Sequence, residues 1–288
     1  MRYILVAFLF ISFLACKEVK TEQSVSDTSV LLDVFRASKS DYPKISVHRG
    51  GKGIINYPEN CLETIKYVSD SIKAIYEIDI AQTKDGKLVL MHDNSLERTT
   101  TGSGLVKDHT YDELQEFNLV DDYGNETNYK IPLFSKVLEW CKANKVILTV
   151  DIKRSVSQSV VIEAIKKANA EDVCVIITYD LNQAKSSYAL APELLISVSA
   201  RNDEELNRLL ASEIPTKNML AFTGTRLSNP NLYKRLKDKD IVAMLGTLGN
   251  LDKQAEARGN HLYNEWMSKG VNILATDRPF EVQKAIQK

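Results

Sequence analysis

From Ile45 onward, short apolar runs of strand character alternate with segments whose apolar residues recur at helical spacing. The runs predict strands at 45–47, 76–82, 88–91, 146–152, 173–177, 194–198, 218–222, 241–244 and 272–274. Helical spacing covers 61–71, 133–143, 158–169, 202–210, 231–237 and 260–269. Strands and helices alternating in this way build a parallel sheet with crossover helices. Closed on itself, the recurring set has about eight strands, the count of a (β/α)8 TIM barrel. The rival is an open doubly wound sheet, which expects a glycine-rich phosphate turn after its first strand. His48-Arg49-Gly50-Gly51 at that place is not such a turn. The stretch 94–130 fits the alternation poorly and reads as a small insertion at the barrel mouth, a candidate lid over the site.

Two of the predicted strands carry charge inside an apolar pattern. In Glu77-Ile78-Asp79-Ile80 the carboxylates leave one face and the isoleucines the other, because strand side chains alternate. Further on, Leu148, Val150 and Ile152 suit packing on outer helices, while Thr149, Asp151 and Lys153 suit a polar barrel mouth. A buried carboxylate without a compensating cation is costly, so the pair Glu77 and Asp79 predicts a divalent metal site. His48 and His92, two of only four histidines, fall near the ends of neighbouring strands, where barrel active sites form. His109 and His261 read as ordinary polar residues, and Asp93 and Asp277 as braces for loops rather than metal ligands.

The N-terminus has another character. Arg2 precedes an apolar run, Tyr3 to Leu14, too short to span a bilayer and suited to a signal-peptide core. The run ends Phe13-Leu14-Ala15-Cys16, which resembles a bacterial lipobox with Cys16 as the lipidated residue. The expected organisation is a signal peptide over 1–15, a lipidated cysteine and flexible tether over 16–44, and the barrel over 45–288. The expected location is outside the cytoplasm, anchored to a membrane through the lipid, with the outer membrane favoured. With 37 basic and 38 acidic residues, net charge is −1, which argues against nucleic acid as a partner. The remaining Cys61, Cys141 and Cys174 are odd in number and lack metal-site spacing, so they read as small core residues.

Several segments follow one another in order along nearly the whole barrel. They are His48-Arg49-Gly50, then Pro58-Glu59-Asn60-Cys61-Leu62-Glu63-Thr64, then Glu77-Ile78-Asp79. Thr83-Lys84-Asp85-Gly86 leads to His92-Asp93, Leu96-Glu97-Arg98-Thr99-Thr100 and Gly102. Ile131-Pro132-Leu133 and the closing Thr276-Asp277-Arg278-Pro279 complete the series. In this order and spacing the series resembles the glycerophosphodiester phosphodiesterase family, with Cys61 where threonine is usual.

The resemblance implies a barrel that hydrolyses glycerophosphodiesters to glycerol 3-phosphate and an alcohol. It implies Ca²⁺ or Mg²⁺, hard cations that suit an all-carboxylate set. Glu77 and Asp79 carry over as ligands, while Asp151 stands where the family typically has glutamate. His48 and His92 map to the general acid and base without a choice of roles. Arg49 and Lys153 are expected on the substrate phosphate, and Glu59 and Asn60 as outer or orienting residues. Where the family often has a tryptophan-containing segment, this chain reads Met244-Leu245-Gly246-Thr247-Leu248-Gly249-Asn250, without an aromatic. A shifted substrate range follows as an expectation: a lysophospholipid, a phosphoinositide or another phosphodiester. A catalytically silent binding lipoprotein is the third reading.

Overall fold

The computed structural model describes residues 28–287. The expected signal peptide, the lipidated Cys16 and the tether as far as residue 27 lie outside the described residues. Among the described residues nine strands form: β1 (Ile45–Val47), β2 (Ile75–Gln82), β3 (Leu88–Leu90), β4 (Ile147–Ile152), β5 (Cys174–Ile177), β6 (Leu195–Ser199), β7 (Met219–Phe222), β8 (Val242–Gly246) and β9 (Ile273–Thr276). β1 pairs in parallel with both β2 and β9, so the eight parallel strands close on themselves. β3 stands outside the ring, antiparallel to β2. The result is the (β/α)8 barrel expected from the alternation.

The pleat sorts the side chains as the sequence predicts. Tyr76, Ile78, Ile80, Leu148 and Val150 join the large apolar layer between barrel and helices. A second cluster, containing Ile75, Val175, Leu195, Leu220, Val242 and Ile273, fills the barrel interior. The first residues of several strands belong to it, so it lies toward the barrel's lower end.

That lower end holds a departure from expectation. Residues 29–42, placed in a flexible tether on sequence grounds, are packed into the fold. Leu31 and Leu32, in the short helix Leu31–Val34, join Phe35 and Tyr42 in the interior cluster at 1–3% exposure. Ser29 Oγ donates to Glu171 O at 2.9 Å, and Arg36 Nε donates to Asp240 Oδ2 at 2.7 Å. Both partners precede barrel strands, β5 and β8, so the segment plugs the floor of the barrel. Each large apolar side chain buried there contributes about 1.5–3 kcal/mol before its ordering entropy.

The insertion over 94–130 has an apolar centre of its own, where Leu96, Val106, Leu114 and Leu119 meet Ala81, Val89 and Met91. It holds a short helix, Tyr111–Leu114, started by a capping box between Thr110 and Glu113. Cys61, Cys141 and Cys174 are buried and unpaired. Among the described residues, no helix is long and apolar enough to cross a membrane.

Candidate active site

Asp79 on β2 and Asp151 on β4 are register partners on adjacent parallel strands, and Glu77 sits one pleat below, opposite Thr149. Ligand oxygens of Glu77, Asp79 and Asp151 therefore converge within 4.8 Å of one another, a group able to hold a metal ion. Burial, then the charges of Asp79 and Asp151, push Glu77 well above the usual carboxylate range. Asp151 is raised too, first by burial and then by Asp79. Burial also opposes charge on Asp79, but Lys153 outweighs it and holds that group low. The ammonium of Lys153 lies 2.6 Å from Asp79 Oδ1 and 3.8 Å from Asp151 Oδ2. One cation thus faces three crowded acids, and the donor set suits a hard divalent ion. Thr149 adds an observation in the same direction: its buried hydroxyl lines the cavity and has no protein partner.

Orienting bonds surround these acids. Asn60 holds Asp79 twice: Nδ2 donates to Asp79 Oδ2 at 2.8 Å, and Oδ1 accepts from Asp79 N at 2.9 Å. The hydroxyl of Tyr179, in the loop after β5, donates to Asp151 Oδ2 at 2.7 Å. Arg49 N donates to Glu77 Oε2 at 2.7 Å. That last bond depends on an unusual backbone. Arg49 has φ 52°, in the left-handed region that costs a non-glycine residue about 1–2 kcal/mol. The following Gly51, at φ +138°, passes so close to the next helix that a Cβ would lie 2.6 Å from Thr64 Cγ2. The His-Arg-Gly-Gly turn is therefore a steric requirement as well as a chemical motif.

Both histidines face the same cavity, of about 200 Å³, as the acids. His48 Nδ1 lies 2.6 Å from Asp277 Oδ1, and His92 Nδ1 lies 2.6 Å from Asp93 Oδ1. Each carboxylate accepts, so Nδ1 carries the proton in both rings. The far nitrogens differ. His92 Nε2 is 2.7 Å from Arg49 Nη2, and a guanidinium only donates, so this ring is neutral and accepting. Arg98 further occupies Asp93 through Nε at 2.5 Å. Glu59, almost fully buried, accepts from Arg49 Nη1 at 2.9 Å and from Arg98 Nη2 at 2.7 Å.

The expected catalytic, phosphate-binding, metal and orienting residues thus lie around one mouth, while Cys16 is outside the described residues. Asp93 and Asp277, read as loop braces, are ring partners of the histidines, and Tyr179 was not foreseen. Asp277 and His48 are 229 positions apart, and no local pattern announces such a pair. An aromatic ring does face the cavity, from the strand beside the one where the aromatic segment was expected. Phe222 ends β7 and lines the cavity with Met244, Leu248, Ile177 and Ala275. Gly246 makes room for it, since a Cβ there would be 3.0 Å from Phe222 Cζ. The insertion flanks His92 through Arg98, but none of its residues lines this cavity.

Comparison with known proteins agrees with this geometry. Residues 48–263 match the model of the glycerophosphoryl diester phosphodiesterase family. A glycerophosphodiester phosphodiesterase of Bacillus altitudinis is 27% identical over 243 residues, covering 82% of this chain and 95% of that protein. Other curated relatives are matched over only 64% and 65% of their own lengths. A crystal structure of a glycerophosphoryl diester phosphodiesterase from Parabacteroides distasonis superposes with a TM-score of 0.82 at 33% identity, covering 89% of this chain and 90% of that one. An Oleispira antarctica phosphodiesterase, solved with its product sn-glycerol-3-phosphate, shares the fold at 20% identity and a TM-score of 0.69, covering 86% of this chain and 98% of that one. The chain belongs to the glycerophosphoryl diester phosphodiesterase family, whose members are phosphoric diester hydrolases.

Proposed function

We propose that this chain hydrolyses glycerophosphodiesters to glycerol 3-phosphate and an alcohol, with His92 as the first base and His48 as the first acid. The observation that carries the reading is a single small cavity faced by both imidazoles and the three converging carboxylates. The family and the glycerol phosphate bound to the Oleispira relative support the substrate class.

Glu77, Asp79 and Asp151 would hold a divalent cation such as Ca²⁺ or Mg²⁺, which when bound would supply Lewis-acid charge to the substrate phosphate. The chain's own residues do the rest. Arg49 is held by Glu59, and its buried Nε lacks a partner, so an incoming phosphate completes the donors of this guanidinium. Drawn toward the phosphate, Arg49 uncovers His92 Nε2. That nitrogen takes the proton of the glycerol 2-hydroxyl as the O–P bond forms, and His48 Nε2 protonates the departing alcohol as the other P–O bond breaks. A water then opens the cyclic phosphate, with His48 taking its proton and His92 returning one to the glycerol oxygen. Roles are assigned by neighbours: a guanidinium demands a neutral His92, whereas His48 meets Asp277 with no such donor opposite. Lys153, bound to Asp79 here, is the point charge assigned to the phosphate.

The test is product release from a panel of glycerophosphodiesters with varied headgroups, with a lysophospholipid as a separate arm. Glycerol 3-phosphate from the soluble diesters supports the reading, and no phosphate product from any of them overturns it. We also propose export and lipidation at Cys16, on the strength of the apolar run and Leu14-Ala15-Cys16. Metabolic labelling with palmitate that survives Cys16→Ala would contradict that assignment.

A further inference from the structure

Asp252, in the first turn of the helix Asn250–Arg258, is 3% exposed and lies behind the barrel mouth. Its Oδ1 accepts from Tyr263 Oη at 3.0 Å and from Thr276 Oγ1 at 2.9 Å. Its Oδ2 accepts from Thr276 Oγ1 at 2.9 Å and from the backbone N of Asp277 at 2.8 Å. These donors are all neutral. A buried carboxylate satisfied without a counter-ion is an expensive way to brace a helix, and burial raises its pKa accordingly. What distinguishes this one is where its bonds end. Thr276 and Asp277 are consecutive at the top of β9, and Asp277 Oδ1 is the acceptor 2.6 Å from His48 Nδ1.

We propose that Asp252 is a positioning residue for the reaction, fixing the backbone of Asp277 so that its carboxylate holds the His48 ring in line with the leaving group. The proposal rests on the assignment of His48 as a proton donor. It differs from a packing role because the carboxylate bonds both residues that set the Asp277 side chain, the hydroxyl before it and its own N–H. In Asp252→Asn the shape is nearly kept, but one oxygen becomes an NH₂ group. With the amide's donor turned toward Asp277 N, the brace is lost; with the oxygen turned there, the Thr276 and Tyr263 hydroxyls meet a donor instead.

The experiment uses the full chain with histidine labelled in ¹⁵N and follows the low-field Nδ1 protons of His48 and His92. Asp277→Asn assigns the first by its loss, and Asp93→Asn assigns the second. In Asp252→Asn the His48 proton is expected to move upfield and exchange faster while the His92 proton stays in place. kcat should fall on the order of tenfold, with KM within about twofold of wild type, as small misplacements of a reacting group do. Tyr263→Phe removes one donor from the same carboxylate without touching Asp277. It should shift the same proton by less, which keeps the test open if Asp252→Asn does not fold. Unmoved His48 protons in every folded variant, with kcat unchanged, overturn the proposal even if melting temperatures fall. Full kcat in Asp277→Asn points elsewhere, since it removes the role of His48 itself.

Discussion

His48 and His92 each lean on an aspartate through Nδ1, yet the two rings meet different company on the other side. Arg49 sits on Nε2 of His92, and Arg98 already engages the Asp93 carboxylate. Asp277 is opposed by burial, but the His48 hydrogen bond and charge bring it below the ordinary carboxylate range. This asymmetry separates the two roles experimentally. A diester whose leaving group is p-nitrophenol needs little help from an acid. In the first turnover, before the ring opening that needs His48 as base, His48→Ala should therefore release p-nitrophenol at a rate near wild type while losing about 10²–10⁴-fold on an alkyl diester. His92→Ala should lose activity on both, because the attacking hydroxyl still needs its base. Equal losses for the two variants on the activated diester would contradict the assignment. Residue chemistry of this kind was only half legible. Glu77 and Asp79 declare themselves by interrupting an apolar strand at a spacing of two. Tyr179 is a lone aromatic in a loop, and only the folded chain brings it to Asp151.

Strands were more legible than helices, and the reason is burial. On the helix-facing side β2 and β4 present only large apolar residues, Tyr76 included, so their apolar runs stand out against polar flanks. The helix Leu181–Leu190 escaped notice because the residues it buries are the small Ala184 and Ser187, which leave no apolar stripe. Asn250–Arg258 buries Asp252 along with Leu251 and Ala255, a pattern that reads as solvent-facing. The barrel plug was missed for a related reason: Leu31, Leu32 and Phe35 sit beside a polar stretch, and their partners are strands far along the chain. The plug carries its own prediction. Phe35→Ala leaves a cavity at the barrel floor and should cost about 3–5 kcal/mol in unfolding free energy by urea titration. Catalytic constants at low denaturant should hardly change. A variant as stable as wild type would return these residues to the tether.

Across the whole molecule, the fold brings acids of two strands together against their mutual repulsion, and a cation should relieve the strain. Burial, then Asp79 and Asp151, hold the folded pKa of Glu77 above its ordinary value of 4.5. The unfolded chain therefore releases this proton first as pH rises. With chelator present, stability from this group is complete below about pH 4.5 and falls as pH passes through the raised folded value. A bound divalent ion favours the ionised form. The gain in melting temperature on adding Ca²⁺ or Mg²⁺ should therefore grow with pH, and a gain independent of pH would place the ion elsewhere. Closure into a barrel was readable from the count and order of strands. The pairing of β1 with β9 and the convergence of three acids on two rings are properties of the closed ring.

The most direct measurement is glycerol 3-phosphate release from a soluble glycerophosphodiester, followed in excess chelator, after divalent add-back, and again for Glu77→Gln. Turnover should vanish with chelator, return with Ca²⁺ or Mg²⁺, and in the variant require at least about 10-fold more ion for half activity, since loss of a mere outer partner already costs that much. Undiminished turnover in excess chelator would contradict the joint action of the acid cluster and the two imidazoles on one phosphorus.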